Sequence, residues 1–275
     1  MASQLTFIGA GNMATAILAG LVDSGYPADA ITAAAPDRPA LDTLHARYAI
    51  NVTEDNEGAV SEADVVILAV KPQIMRQVCE PLQDAFQISR PLIVSVAAGL
   101  TVETLGRWLG DESLPLVRCM PNTPAMVGEG ATGLYATATV SQAQRELAGE
   151  LLAAVGIVEW VEKEQLLSAV TAIAGSAPAY FFYMFEALEK AGVARGLPPE
   201  TARRLAIQTA LGAARMARES ELDPQTLKRQ VMSPNGTTEE AIKSLEQAGF
   251  DKMIDNATLA CFDRAETLAW ELDDQ

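Results

Sequence analysis

The sequence predicts an α/β fold, a doubly wound parallel sheet over residues 1–162 followed by an all-α region over residues 163–275. Three observations predict it. First, the β-favouring run Thr6-Phe7-Ile8 leads straight into Gly9-Ala10-Gly11-Asn12-Met13-Ala14, and a helical apolar pattern (Ile17, Leu18, Leu21) comes next. Second, the continuous apolar run at residues 64–70 reads as a parallel strand covered on both faces, residues 92–96 repeat the pattern, and residues 31–35 and 116–120 read as further strands. Third, strand signals stop near Glu162 and every later segment has helical periodicity.

The first run has the spacing G-x-G-x-x-A between a strand and a helix, which makes the sheet Rossmann-like. Gly9 permits the tight turn, Gly11 lets backbone approach a pyrophosphate, and Ala14 is small enough for helix to pack on strand. The helix start offers free N–H groups and a positive dipole end to the phosphates.

The second run, residues 31–35, ends in Ala35-Pro36-Asp37-Arg38. An acid at such a strand end holds the ribose 2′-hydroxyl in NAD enzymes. Here the acid falls past the end and a guanidinium follows, whose planar fork suits a 2′-phosphate. The expected cofactor is therefore NADPH, with NADH as the alternative, and Arg38 as an ordinary solvated charge is the plainer reading. The run at 64–70 ends in Lys71-Pro72, with Pro72 at the first helical position. The runs at 92–96 and 116–120 end in Ala97-Ala98-Gly99 and Pro121-Asn122-Thr123-Pro124. In open α/β sheets, ligands sit beyond the carboxyl ends of strands, where these loops are expected. Further strands are expected near residues 131–136 and 156–161, with a helix between them over residues 141–154.

Composition bounds the partners. The chain has 275 residues, 49% hydrophobic and 20% charged, with a net charge of −16. That balance fits a globular protein and argues against nucleic acid or an anionic membrane surface. An anionic nucleotide must then meet local helix ends and a few cations. Cys79, Cys119 and Cys261 are odd in number and widely spaced, which suits a reducing cytoplasm and offers no metal framework. The beginning of the sequence has no basic region plus apolar core, so no signal peptide is expected. The single histidine, His45, reads as a surface residue.

Between Glu164 and Glu186 there is no charged residue. Length alone would allow a membrane span. Gln165, Ser168, Thr171, Ser176 and Pro178 interrupt the stretch and no basic cluster flanks it, so the expectation is a helix buried against a second subunit. Gly192, Gly196 and Pro198-Pro199 close it, and an amphipathic helix follows over residues 202–218. The last informative stretch is Ser233-Pro234-Asn235-Gly236-Thr237-Thr238-Glu239-Glu240. Pro-Asn-Gly is turn chemistry. Thr237 with Glu240 three residues on reads as a capping box for a helix at 239–247. Ser233, the amides of residues 236–238 and the threonine hydroxyls would ring a helix start sized for a carboxylate. A merely well-capped helix explains the same spacing.

These motifs together resemble the pyrroline-5-carboxylate reductases over essentially the whole chain. The matching pieces are FIGAGNM (7–13), AVKP (69–72), SVAAG (95–99), MPNTP (120–124), GSAPAY (175–180) and SPNGTT (233–238). Where many members have SPGGTT and GSGPAY, this chain has Asn235 and Ala177. Asn tolerates left-handed backbone, so little harm is expected at the first. The resemblance implies a Rossmann-like domain, a helical domain that forms an interleaved homodimer, and rings up to the decamer. It implies hydride transfer from NAD(P)H to the C5 imine carbon of 1-pyrroline-5-carboxylate, the last step of proline synthesis. By resemblance, Gly9, Ala10, Gly11, Asn12 and Met13 hold the pyrophosphate, and Ala35, Asp37 and Arg38 lie near the adenosine ribose. Asn56, Ala69, Val70, Lys71, Pro72, Ala97, Ala98, Gly99, Met120 and Pro121 line the remaining cofactor channel. Ser233, Gly236, Thr237 and Thr238 bind the substrate, with Glu164 nearby and Glu221 acting on the partner's site. Thr238 is the candidate for hydrogen bonding the ring nitrogen.

Two other readings compete. The first is another NADP-dependent oxidoreductase, of the β-hydroxyacid or imine-reducing type. The hydroxyacid group uses a lysine proton donor, and residues 165–185 contain none, which favours an imine substrate. A non-catalytic nucleotide sensor would have no reason to keep a second anion-accepting loop.

Overall fold

The computed structural model describes residues 2–273. Its packing divides into two compact units, one of the residues up to Ser176 together with those from Cys261 onward, the other Ala177–Ala260.

In the first unit, eight strands among the described residues form one sheet. They are β1 (Leu5–Ile8), β2 (Ile31–Ala34), β3 (Asn51–Thr53), β4 (Val65–Leu68), β5 (Leu92–Ser95), β6 (Leu116–Met120), β7 (Gly130–Ala136) and β8 (Gly156–Trp160). Their order is β3-β2-β1-β4-β5-β6-β7-β8, the doubly wound arrangement for the first six. The neighbours from β3 through β6 pair in parallel, β7 runs antiparallel to β6, and β8 is parallel to β7. β1, β4 and β5 are buried along their whole length, as their unbroken apolar sequence requires. One side of the sheet packs Phe7, Ile67 and Val94 against Ile17, Leu18 and Leu21 of α1 (Asn12–Asp23). The other packs Ile8, Leu68 and Ile93 against residues such as Met75, Phe86 and Leu105.

The expected strands and the helix at 141–154 are present, the latter as α7 (Gln142–Ala153) with a capping box of Ser141 and Gln144. α2 (Arg38–Tyr48), β3 and α3 (Asn56–Ser61) fill a stretch whose short, polar elements give little periodic signal. α4 (Pro72–Cys79) and α5 (Gln83–Ser89) lie between β4 and β5. α6 (Val102–Trp108) follows β5, and α8 (Leu166–Val170) follows β8. His45 lies on α2, exposed, with Nδ1 2.7 Å from the Ile50 carbonyl oxygen.

The second unit is entirely helical among its described residues. It holds α9 (Ala177–Val193), α10 (Pro199–Glu219), α11 (Pro224–Val231), α12 (Thr237–Gln247) and the first part of α13 (Phe250–Asp273). A π-helical turn, Thr171–Gly175, precedes α9. The boundary expected at 162/163 therefore falls earlier than the division in packing. Residues 166–176 and the end of α13 pack with the sheet because apolar side chains such as Leu167, Ala172 and Leu272 are buried there.

The later part of the apolar stretch after Glu164, on α9, is largely exposed in the single chain. Phe181, Phe182 and Tyr183 on α9 are 57%, 63% and 73% exposed. Leu166–Val193, taken as one helix, is long and apolar enough to cross a membrane by length and composition alone.

The capping box expected at Thr237 and Glu240 does not form. α12 begins at Thr237 itself, its N-cap is Gly236, and no side chain caps it. Glu239 reaches back instead, accepting a hydrogen bond from the Asn235 N–H at 2.6 Å, while Glu240 pairs with Lys243. The helix starts two residues earlier than the spacing suggests, so the reciprocal acid is one residue earlier as well.

Candidate active site

The parallel register brings the sequence motifs to one edge of the sheet. Ile8 lies opposite Ala34 and Leu68, Leu68 opposite Ser95, Ser95 opposite Arg118, and Ala34 opposite Thr53. The segments after β1 (Gly9, Ala10), β2 (Ala35, Asp37, Arg38), β3 (Asn56), β4 (Ala69, Val70, Lys71) and β5 (Ala97, Ala98, Gly99) all leave from that carboxyl edge. So does Pro121 after Met120, the last residue of β6.

Gly9 takes φ of +112°, and a Cβ there would stand 2.7 Å from the Ala69 carbonyl oxygen, so the turn admits only glycine. Gly11 is the N-cap of α1 with no side-chain cap, and nothing lies within 4 Å of where its Cβ would be. The first N–H groups of α1 thus face open space with a positive dipole end. Asn12 is exposed, and Met13 half-buried, at the same helix start. Pro72 opens α4 directly after the exposed Lys71.

Asp37 is the N-cap of α2, its carboxylate accepting the Ala40 N–H at 3.2 Å. That oxygen is committed to the helix start. Arg38 is exposed, and its Nε donates to Asp42 Oδ1 at 2.8 Å. Asn56, at the first turn of α3, carries a buried side-chain oxygen that accepts from no group among the described residues. A buried acceptor left open costs free energy, so it fits a donor from a bound molecule. The uncapped α1 start, the space above Gly11 and this open acceptor fit a dinucleotide.

The 97–101 segment is held at its far end. Glu164 Oε1 accepts from the Val102 N–H at 2.8 Å and from Arg118 Nη1 at 2.9 Å. Both side chains of that ion pair are mostly buried, 12% and 15% exposed. Glu164, expected near substrate, therefore ties the β5 loop to β6. A cavity of about 280 Å³ lies beside it, lined also by Ser168, Glu266 and Trp270. Asn122 of the MPNTP motif is buried and accepts from the Ala131 N–H while donating to the Ala174 carbonyl. Arg118 and Asn122 were given no role of their own in the sequence, because those roles depend on partners 46 and 52 residues away.

In the helical unit, Ser233, Gly236, Thr237 and Thr238 are gathered in one turn, closed by the Gly236 N–H on the Ser233 carbonyl at 2.9 Å. Asn235 adopts φ of +59°, the left-handed backbone that Asn tolerates. Glu239 is held below the usual carboxylate range, first by Lys243 and then by the Asn235 N–H. Because Glu239 engages Asn235 and no side chain caps α12, the N–H groups at its start are open to an anion. Glu221 is exposed, before α11 and outside that turn. Cys79 and Cys119 are buried, and burial pushes both thiols up, Cys79 to about 12.

The nucleotide edge and the helical unit define an NADP-type oxidoreductase with a dimerisation domain. A family model described as NADP oxidoreductase, coenzyme F420-dependent, matches residues 4–99, and one described as pyrroline-5-carboxylate reductase dimerisation matches residues 164–268. The pyrroline-5-carboxylate reductase of Pseudomonas aeruginosa is 50% identical over 269 residues, 98% of each chain. A solved pyrroline-5-carboxylate reductase from Coxiella burnetii is 42% identical, with a TM-score of 0.95 over 98% of this chain and 99% of that one. The Plasmodium falciparum pyrroline carboxylate reductase, solved with NADP bound, is 28% identical, with a TM-score of 0.84 over 97% and 98% of the two chains. The chain belongs to the pyrroline-5-carboxylate reductase family.

Proposed function

We propose that this chain reduces the C5 imine carbon of 1-pyrroline-5-carboxylate to give L-proline, in the cytoplasm, with NADPH preferred over NADH. The observation that carries the reading is full-length similarity to pyrroline-5-carboxylate reductases, together with an anion-accepting helix start in each unit.

The residues at the sheet edge bind the cofactor. The α1 start, with Gly9, Ala10, Gly11, Asn12 and Met13, takes the pyrophosphate. Arg38 turns its fork to the 2′-phosphate beside Ala35 and Asp37. Asn56 Oδ1 accepts a donor that its own chain leaves unmet. Ala69, Val70, Lys71, Pro72, the 97–99 loop, Met120 and Pro121 line the remainder. When bound, NADPH supplies the hydride that the imine carbon receives.

The substrate residues do the orienting. Ser233, Gly236 and Thr237 hold the carboxylate at the start of α12. The Thr238 hydroxyl hydrogen-bonds the ring nitrogen. A cyclic imine is protonated readily near neutral pH, so its carbon is electrophilic before any protein acid acts. Thr238 therefore orients the ring and relays a proton through water, since a hydroxyl is a poor acid by itself. Glu164 acts on the substrate side of the 97–101 segment, and Glu221 supports the partner's site. As functional regions, residues 1–162 serve the cofactor and residues 163–275 serve substrate and assembly. The assembly is a homodimer through the helical region, the unit from which a decamer would be built.

The test is a spectrophotometric assay of NADPH consumption with 1-pyrroline-5-carboxylate. Turnover with L-proline as product is expected. Binding of NADPH without turnover would overturn the reading in favour of a nucleotide sensor.

A further inference from the structure

The end of α13 lies beyond both family regions, which cover residues 4–99 and 164–268. It is nevertheless packed onto the sheet unit. Leu272 is 2% exposed and joins the core cluster that contains Leu68, Ile93, Ala97, Leu100 and Leu105.

Its target is specific. Gly99 has φ of +80°, and a Cβ on it would stand 2.9 Å from Leu272 Cδ1 and 3.1 Å from Leu268 Cγ. The two leucines occupy the space a side chain at 99 would need. The next residue fastens the following helix. The Asp273 carboxylate accepts from the Thr104 hydroxyl and from Arg107 Nη2, the latter at 2.6 Å. Thr104 in turn donates its N–H to the Thr101 hydroxyl, the N-cap of α6. Two apolar contacts thus press on the loop at Gly99, and one carboxylate pins α6 just beyond it.

We infer that the C-terminal turn, residues 268–273, sets the conformation of the 97–99 loop for the nicotinamide half of NADPH, with Leu272 and Asp273 as positioning residues. The inference rests on the reading of that loop as part of the cofactor site. Leu272 touches no cofactor on this view. It acts through Gly99, and Asp273 acts through α6. A loop of small residues has few side chains of its own to hold it, so its shape comes from what packs behind it. Displacement of a binding group by about 1 Å costs up to about a hundredfold.

The test is fluorescence titration of the full chain with NADPH, with the thermal unfolding midpoint measured beside it. Leu272→Ala is expected to weaken NADPH binding by about tenfold. Leu272→Met, which restores volume, is expected to recover most of that loss. If Leu272→Ala binds NADPH as the native chain does while its unfolding midpoint falls, the turn is only a stabilising contact and the inference fails. Should Leu272→Ala not fold, Asp273→Ala decides, since that side chain is partly exposed. A several-fold weaker affinity supports the inference, and an unchanged one overturns it. A native chain that binds no NADPH overturns the cofactor reading itself, a result distinct from failure of the inference alone.

Discussion

Thr238 is half-buried at the first turn of α12, where its hydroxyl is the group proposed to hydrogen-bond the ring nitrogen. Its hydroxyl is worth one oriented hydrogen bond at least and a catalytic donor at most. Thr238→Ala is therefore expected to lower kcat/KM by roughly ten- to a thousand-fold. Near-native kinetics would reject the assignment. Arg38 poses a question of specificity. Its contact with Asp42 is an exposed i,i+4 pair, 2.8 Å long, of a kind worth little. The guanidinium can leave it for a phosphate. Arg38→Ala is expected to raise KM for NADPH several-fold more than KM for NADH. Equal effects would remove the 2′-phosphate role. At this scale legibility divided by locality. Gly9 and Gly11 were readable as glycines from their local motif, although the close approach of Ala69 that Gly9 permits was not. The open Asn56 acceptor, the Arg118–Glu164 pair and the Glu239 contact at the start of α12 depend on tertiary partners or on a shift of two residues in a helix start.

The strands that cross the centre of the sheet were legible as elements because double-sided burial writes a continuous apolar run, as in residues 65–68 and 92–95. β3 was not. It has three residues, begins with an exposed Asn51, and sits at the sheet's edge, so only one side constrains it. α9 was legible as apolar, and the reason lies outside the single chain. Its aromatic side chains are exposed here, whereas the matched family region is one for dimerisation. Phe182→Glu is expected to shift the protein to a smaller species by light scattering at micromolar concentration. Burying one unpaired carboxylate at such a contact costs several kcal/mol. An unchanged mass would show that this face is not the one covered.

For the molecule as a whole, the net charge of −16 repels an anionic cofactor and an anionic substrate at a distance. Attraction must arise locally, and the uncapped helix starts at Gly11 and Gly236 with the exposed Arg38 and Lys71 are the groups proposed to supply it. Packing divides the chain at Ser176 and again at Ala260, whereas the division expected at residue 162/163 follows the end of β8 at Trp160. It did not anticipate that the chain's last turn belongs to the sheet unit, since one buried leucine in a helix looks like any other in sequence. That return has a bearing on biosynthesis. Domains generally fold as units, the N-terminal one first, as the polypeptide emerges. Here Leu272 follows residues 177–260 in the chain, so the sheet unit closes its interior only after the residues of the helical unit have been made.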